Sequence, residues 1–325
     1  MAVPFGVPPF VFLASTILTD MTRRTLLGTA ALAAAAQAQR RREWKPKLGF
    51  LTPYSEDIVA FARDNGYKNL ILGSGAGPRS GLDASTITDD TLEKMKQNLA
   101  SAGISVSALQ VTQNHISPDL AKRKSENDYF MKAIEAAGKL GVPNIGAMSG
   151  KDPAKPFQAQ VDEIVRVYTE KYFPLCEKYK VRICWEPWPE GPNVATSPAG
   201  YDGLFKAFGN SPYVGLQFDP SHFVRQFMDP IQTARDYVDK IHDVHLKDTE
   251  IRYDMLRKGG INPVTRIQWW RYRLPGLGSI KWNEFFSVLQ EAGYEGAMSV
   301  EHEDDFYEFK DGLVMAKRYL TQFVP

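Results

Sequence analysis

The sequence predicts a closed parallel barrel wrapped by helices, the α/β architecture of a (β/α)8 TIM barrel, and three observations lead there. From Lys47 onward, short apolar runs alternate with helical stretches eight times, and no linker is long enough to separate domains. Gly66, Gly103, Gly141 and Gly293 stand where helices should stop. Strand parity is the third observation, because side chains alternate between faces along a strand. If Glu186, Asp219, His245 and Glu301 point inward, then Val181, Ile183, Trp185, Val214, Leu216, Phe218, Val244, Leu246, Met298 and Val300 point outward, and all of these are apolar. The inward companions, Cys184, Gly215, Gln217, Ala297 and Ser299, are small or polar.

In chain order the strands are expected at 47–52, 69–74, 105–111, 142–148, 181–186, 214–219, 241–247 and 296–302. The helices between them are expected near 55–65, 89–102, 126–140, 157–179, 198–208, 229–239, 282–292 and 310–322. An open doubly wound sheet is the competing architecture. It is disfavoured because no glycine-rich phosphate loop follows the first strand. Gly73-Ser74-Gly75-Ala76-Gly77 follows the second, with no helix opening directly after it, and reads as a flexible loop. One segment departs from the repeat. Residues 249–279 separate the seventh strand from its helix and hold Trp269-Trp270-Arg271-Tyr272-Arg273, an aromatic density that argues against disorder.

The first residues read as an address and not as fold. Thr22-Arg23-Arg24-Thr25-Leu26-Leu27-Gly28 precedes an alanine-rich run to Ala36, and Ala36-Gln37-Ala38 fits a small-x-small cleavage site. Residues 21–38 are therefore expected to be a twin-arginine signal peptide, with 39–46 a linker and 47–325 the barrel. An ordinary secretory signal or a membrane anchor is the alternative, but residues 25–36 are too short and too weakly apolar to span a bilayer. Residues 1–20, broken by Pro4, Pro8 and Pro9, read as an upstream extension before a start at Met21. The expected location is the periplasm or another exported space, with no stable membrane anchor after cleavage. The chain has 325 residues, a net charge of +1, 43% hydrophobic and 24% charged residues, which is ample for one large core and gives no basic surplus for nucleic acid. Cys176 and Cys184 are its two cysteines, expected to be buried free thiols, although export leaves a disulfide open.

Each of Glu186, Asp219, His245 and Glu301 stands at the C-terminal end of a predicted strand, where barrel active sites are built. Taken singly, such residues are more often caps, ion-pair partners or structural histidines. Taken together, three inward carboxylates are costly to bury without a cation. One imidazole and three carboxylates make an oxygen-rich donor set. It suits Mn²⁺, the expected ion, or Mg²⁺ or Co²⁺, with Zn²⁺ a further alternative. A cation there can polarise a carbonyl, and Glu186 and Glu301, on opposite sides of a substrate and each with an oxygen free, can remove and return a proton.

Five motifs carry a family resemblance: Trp185-Glu186-Pro187, Phe218-Asp219-Pro220-Ser221-His222, His245-Leu246-Lys247-Asp248, the run Pro275-Gly276-Leu277-Gly278-Ser279-Ile280-Lys281-Trp282, and Ser299-Val300-Glu301-His302-Glu303-Asp304. The chain resembles the xylose isomerase-like barrel superfamily over about residues 47–323. That superfamily includes sugar isomerases and epimerases, inosose dehydratases and endonuclease IV. The resemblance implies that Glu186, Asp219, His245 and Glu301 are metal ligands. Likeness to its ketose 3-epimerase branch implies further that the two glutamates form an acid–base pair and that His222 contacts substrate. The chain departs from the epimerase pattern in lacking a clear arginine after the metal histidine, a place Lys247 or Arg252 can fill, and in carrying the 249–279 insertion.

The expected function is a divalent-metal-dependent isomerase or epimerase that abstracts a proton beside a carbonyl of a sugar or keto-sugar. The alternative is a lyase or dehydratase of 3-keto-glycosides or keto-inositols through the same enolate. A non-catalytic sugar-binding barrel is weaker. So is an endonuclease IV-type nuclease, since only five histidines are present. Glu186, Glu301, His222 and Lys247 are the catalytic candidates. His115, Trp188, Trp269, Arg271 and Arg273 are candidates for contacting substrate. For the aromatics the alternative is packing between loop and barrel, and for Arg271 and Arg273 it is pinning the insertion to Glu303-Asp304-Asp305. The expected partner is a small sugar, not nucleic acid, and a homo-oligomer is compatible with the sequence.

Overall fold

The computed structural model describes residues 44–77 and 80–324. The expected extension at 1–20, the signal at 21–38 and most of the linker lie outside the described residues.

Eight parallel strands close into a barrel. They are β1 (Lys47–Thr52), β2 (Asn69–Gly73), β3 (Ser105–Val111), β4 (Asn144–Ala147), β5 (Arg182–Trp185), β6 (Val214–Phe218), β7 (Ile241–Leu246) and, last in the chain, β10 (Ala297–Val300). β10 pairs with both β7 and β1, which closes the cylinder. Each strand lies within the range its sequence predicts; β1 and β3 match it and the others are shorter by one to three residues.

The helices lie outside: α1 (Glu56–Asp64), α2 (Asp89–Ser101), α3 (Leu120–Leu140), α4 (Phe157–Val167), α5 (Phe173–Tyr179), α6 (Pro198–Ala207), α7 (Pro220–Val224), α8 (Pro230–Tyr237), α9 (Tyr253–Gly259), α10 (Trp282–Ala292) and α11 (Phe309–Leu320). Among the described residues no helix is long and apolar enough to cross a membrane. The ends are chemical. Ser55, Thr88 and Ser197 cap α1, α2 and α6 by accepting backbone N–H bonds, and Gly141 and Gly293 end α3 and α10 in the left-handed conformation. The long helix expected over 157–179 is interrupted by a single π turn, Tyr168–Tyr172, where Tyr168 and Tyr172 turn inward to the core.

Parity holds as expected. Trp185 packs outward on Phe205 and Phe208, and Phe218 stacks on Phe223 and Phe285. The lumen is polar. Asn69 donates to the hydroxyls of Ser107 (2.8 Å) and Ser299 (3.1 Å), Asn144 donates to the Ser107 carbonyl, and Gln217 donates to Asp243 (3.2 Å). Gly146 makes room for two amides: a Cβ there would meet Gln110 Oε1 at 2.1 Å and Gln217 Oε1 at 2.3 Å. Cys176 and Cys184 are buried free thiols, and Cys184 rests on Asn144.

The insertion is ordered. β8 (Asp248–Ile251) and β9 (Trp270–Arg273) form an antiparallel hairpin, with α9 in the intervening loop. The reading of 249–279 as a loop is therefore corrected. Alternation over four residues on each side was hidden by the long connection between them.

Candidate metal centre

Four elements end at one point. Glu186 follows β5, Asp219 follows β6 and caps α7 by accepting from Ser221 N (2.8 Å), His245 lies within β7, and Glu301 follows β10. One ligand atom from each lies within 4.8 Å of the others. His245 Nδ1 is 2.9 Å from Glu301 Oε2, 3.5 Å from Glu186 Oε1 and 3.8 Å from Asp219 Oδ2. Yet His245 Nδ1 and Asp219 Oδ2, both buried, make no aligned hydrogen bond. Lone pairs that crowd a common point without bonding one another fit a cation, since unpaired buried polar atoms are otherwise costly. The three-oxygen, one-nitrogen set suits a hard or borderline divalent ion.

Lys247 lies beside the cluster, with its side chain 2% exposed. Its Nζ is 2.7 Å from Glu301 Oε2, 2.9 Å from Glu303 Oε2 and 3.2 Å from Asp219 Oδ2. One ammonium among four carboxylates leaves a surplus of negative charge that a divalent ion offsets. Electrostatics follow from this crowding. Burial pushes Glu186 up, but the His222 hydrogen bond, the nearby His245 imidazole and the Lys247 charge outweigh it and hold the carboxyl well below the usual range. Burial likewise opposes ionisation of Asp219, and the Lys247 and His222 charges more than reverse it. Glu303 goes the other way, raised chiefly by burial.

The structure separates the remaining candidates. His222 is within reach of the centre, its Nε2 3.3 Å from Glu186 Oε1 and 3.4 Å from Asp219 Oδ2. His115 does not reach the barrel mouth. It is fully buried among Phe130, Tyr168 and Tyr172, with Nδ1 3.0 Å from the Tyr172 hydroxyl, and that aromatic shell accounts for its place. Trp269 packs within the insertion: it stacks on Phe227 and its Nε1 donates to the Ile261 carbonyl. Arg271 donates to Glu250, and Arg273 to Glu250 and Asp304, so both pin the hairpin instead of facing the centre. Trp188 is half-buried on the loop after Glu186, its ring against Gly191. Arg252 donates to the Gln268 carbonyl on the exposed side of the insertion, which leaves Lys247 as the cation at the centre. His302 stacks on Phe309, with its Nδ1 accepting from Asp304 N.

Three contacts were not anticipated. Gln110, on β3, donates to Glu186 Oε2 (2.7 Å), so Glu186 does not keep the free oxygen expected of it. The side chain's inward parity on β3 was the available signal. Tyr272 reaches His222 from the hairpin, its hydroxyl 2.9 Å from Nδ1. Arg225 donates to that hydroxyl (3.0 Å) and lies over the Trp270 ring at 3.8 Å. A cavity of about 800 Å³ at the opposite end of the barrel, lined by strand-start residues such as Lys47, Asn69 and Arg182, holds none of the four clustered ligands.

Comparison with known proteins agrees with the architecture. The family described as xylose isomerase-like TIM barrel matches residues 59–319. Protein YfiH of Bacillus subtilis (strain 168) is 29% identical over 283 residues, covering 77% of this chain and 88% of that protein. Inosose dehydratase of Clostridium tetani (strain Massachusetts / E88) is 35% identical over 95 residues, a match to 28% of this chain and 31% of the dehydratase. The crystal structure of 3-keto-D-glucoside 4-epimerase YcjR from E. coli superposes with a TM-score of 0.63 at 13% identity, covering 84% of this chain and 100% of that one, a likeness of fold.

Proposed function

The chain belongs to the xylose isomerase-like TIM barrel family, and from that premise we propose that it is a divalent-metal-dependent isomerase or epimerase of a sugar or keto-sugar. The observation that carries the proposal is the convergence of Glu186, Asp219, His245 and Glu301 with orphaned buried donor atoms at the C-terminal mouth of the barrel. A divalent cation held by these four residues supplies Lewis-acid polarisation of a substrate carbonyl. Mn²⁺ is the ion we propose, on the oxygen-rich donor set.

The protein's own residues handle the proton. Glu301 is the better-placed base. Its Oε2 is held by Lys247 at 2.7 Å, and its side chain is 12% exposed where Glu186 is 7%. Lys247 keeps Glu301 oriented to take a proton from the carbon beside the carbonyl. Glu186 is clamped through both oxygens, by Gln110 on one and His222 on the other. In an epimerisation Glu186 delivers a second proton, taken up from solvent beforehand, to the other face, while the abstracted one stays on Glu301; this requires Gln110 to release Oε2.

That clamp also favours a second reading, a dehydratase or lyase acting on an oxidised sugar. There Glu301 abstracts the proton and passes it to the departing oxygen as its C–O bond breaks, His222 hydrogen-bonds that oxygen, and Glu186 takes no part in proton transfer. The partial relationship to inosose dehydratase and the fold likeness to a 3-keto-D-glucoside epimerase support testing both.

Incubation with free ketoses, 3-keto-glycosides and keto-inositols in deuterated water, with and without Mn²⁺, separates the readings. Isomerisation gives a product of unchanged composition apart from incorporated deuterium, whereas elimination releases water or an aglycone. Turnover that survives Glu301→Gln, or that needs no metal, would overturn both. Export of the folded, cytoplasmically loaded protein by the twin-arginine route belongs to the same proposal. Metal analysis of the exported fraction checks it, with manganese expected and zinc or no metal contradicting it.

A further inference from the structure

A second cavity, of about 770 Å³, lies where the insertion meets the loop after β5 and the turn after α7. Its volume falls in the range of small-molecule sites, about 300–1,000 Å³. Shared residues tie it to the metal centre. Arg225, in its lining, donates to the Tyr272 hydroxyl (3.0 Å), and that hydroxyl is 2.9 Å from His222 Nδ1. The other ring nitrogen of His222 is 3.3 Å from Glu186 Oε1. Three contacts thus connect the cavity wall to a ligand of the candidate metal centre.

The lining selects for a neutral ligand. Its charged side chains, Glu190 and Arg225, bond each other, and the guanidinium lies over the Trp270 ring at 3.8 Å. No unpaired charge is left there for a phosphate or a carboxylate. Two lining amides are available instead. Among the described residues, the side chains of Asn262 and Gln268 hold no hydrogen bond, and Gln268 gives only its backbone carbonyl to Arg252.

Phe227 adds an aromatic platform at a backbone cost. Its φ is +56°, the left-handed region where a bulky side chain is strained. The turn after α7 demands that conformation. Phe227 N donates to the Val224 carbonyl and Met228 N to that of Phe223, closing a helix end where glycine is the usual residue. The chain places a phenyl ring there, backed by Trp269 (ring centroids 5.6 Å apart, 11° between planes) and still 50% exposed. An open aromatic platform beside unengaged amides, in a cavity without free charge, is the chemistry that holds a sugar ring. The platform takes the C–H face and the amides take hydroxyls.

We propose that this cavity binds a second sugar ring, so that the substrate is a glycoside of at least two units, with one ring at the metal centre and the next on Phe227. Placing the first ring at the metal rests on the enzymatic reading above, whereas the affinity of the cavity for a ring does not. Phe227, Asn262 and Gln268 then set specificity and take no part in proton transfer.

Calorimetric titration of the Mn²⁺-loaded protein with cellobiose, maltose, sucrose and trehalose, each compared with methyl glucoside, tests this. At least one disaccharide should bind about tenfold tighter than methyl glucoside, the scale of one aromatic contact. Phe227→Gly removes the platform and relieves the backbone. It should bring that ratio to within about twofold of one while the melting temperature holds. Should it fail to fold, the double variant Asn262→Ala, Gln268→Ala, which breaks no side-chain bond within the protein, is read the same way. Equal affinities across the panel, or a preference that survives the substitutions, would overturn the proposal. So would tight binding of 4-nitrophenyl glucoside with no preference for any disaccharide, which would make the cavity an aryl site. Self-association that Phe227→Gly abolishes, seen by sedimentation with the panel binding no tighter than methyl glucoside, would assign this face to a second copy of the chain and also overturn it. These titrations need no turnover. Their failure leaves a metal-dependent enzyme of single sugars standing, and absence of turnover leaves the titrations readable.

Discussion

His115 shows how burial acts on an ionisable side chain. Burial among aromatic rings, partly offset by neighbouring hydrogen bonds, pushes the His115 imidazole down to about 3. An unfolded chain takes up that proton near the ordinary value of about 6.5. Between these values the unfolded state holds more protons, so stability falls as pH drops, by about 1.4 kcal/mol per unit of pH. His115→Phe should remove this slope. Unfolding curves of parent and variant should therefore converge or cross between pH 6.5 and 4, and parallel curves would reject the assignment. At the metal centre, Glu301→Gln should lower kcat by about 10²–10⁴-fold while a bound sugar is still detected calorimetrically. Loss of binding alongside turnover would point instead to a structural role. Gln110→Leu should weaken metal affinity about 10–100-fold, as losing a ligand's hydrogen-bond partner does, which equilibrium dialysis checks. His245 was legible from its strand and its parity, and so were the three carboxylates. The Gln110 contact was not, because sequence gives the face a side chain points to but not which neighbour across the lumen it meets.

The insertion hairpin is tied down at its base by Asp248. Its carboxylate accepts from Thr249 N, Gly276 N, Ile280 N and Trp282 Nε1, which explains the Pro275-Gly276-Leu277-Gly278 run at the level of the element. Burial nonetheless raises Asp248, those bonds opposing it. Gly278 lies directly against this carboxylate: a Cβ there would come within 2.2 Å of Asp248 Oδ1 and 2.7 Å of the Thr249 carbonyl. Gly278→Ala should therefore cost about 1–3 kcal/mol, and thermal melts should show it. An unchanged melting temperature would mean that the loop moves aside freely. Helices and barrel strands could be read from periodicity and glycine stops because each is a local pattern. The hairpin could not, since its partners, Asp248–Ile251 and Trp270–Arg273, are short and far apart in the chain. Arg271 and Arg273 illustrate the consequence: anion recognition and pinning to Glu303-Asp304-Asp305 were both open for them, and the pairing shows Arg273 on Asp304 and adds Glu250 as the partner of both.

Across the whole molecule, the candidate metal centre draws its four ligands from four separate β/α units, so an ion held there should stabilise the entire barrel. At a free ion concentration about 100 times Kd the gain is about 2.7 kcal/mol, or roughly 5–10 °C in Tm for a domain this size. Calorimetry with Mn²⁺ and then a chelator checks this, and a melting temperature indifferent to both would count against a shared ion. The sequence by itself determined the barrel, its strand order and the inward set of Glu186, Asp219, His245 and Glu301. These follow from local alternation of apolar and polar residues, and one closed sheet satisfies all eight strands at once. Only the tertiary structure decided that Gln110 clamps Glu186, that His115 is sealed away from the mouth, and that Tyr272 reaches His222 from a hairpin outside the repeat. Those contacts join residues tens of positions apart through side-chain reach and loop course. Periodicity carries no information on either, because it specifies which way a side chain faces and not what it finds there.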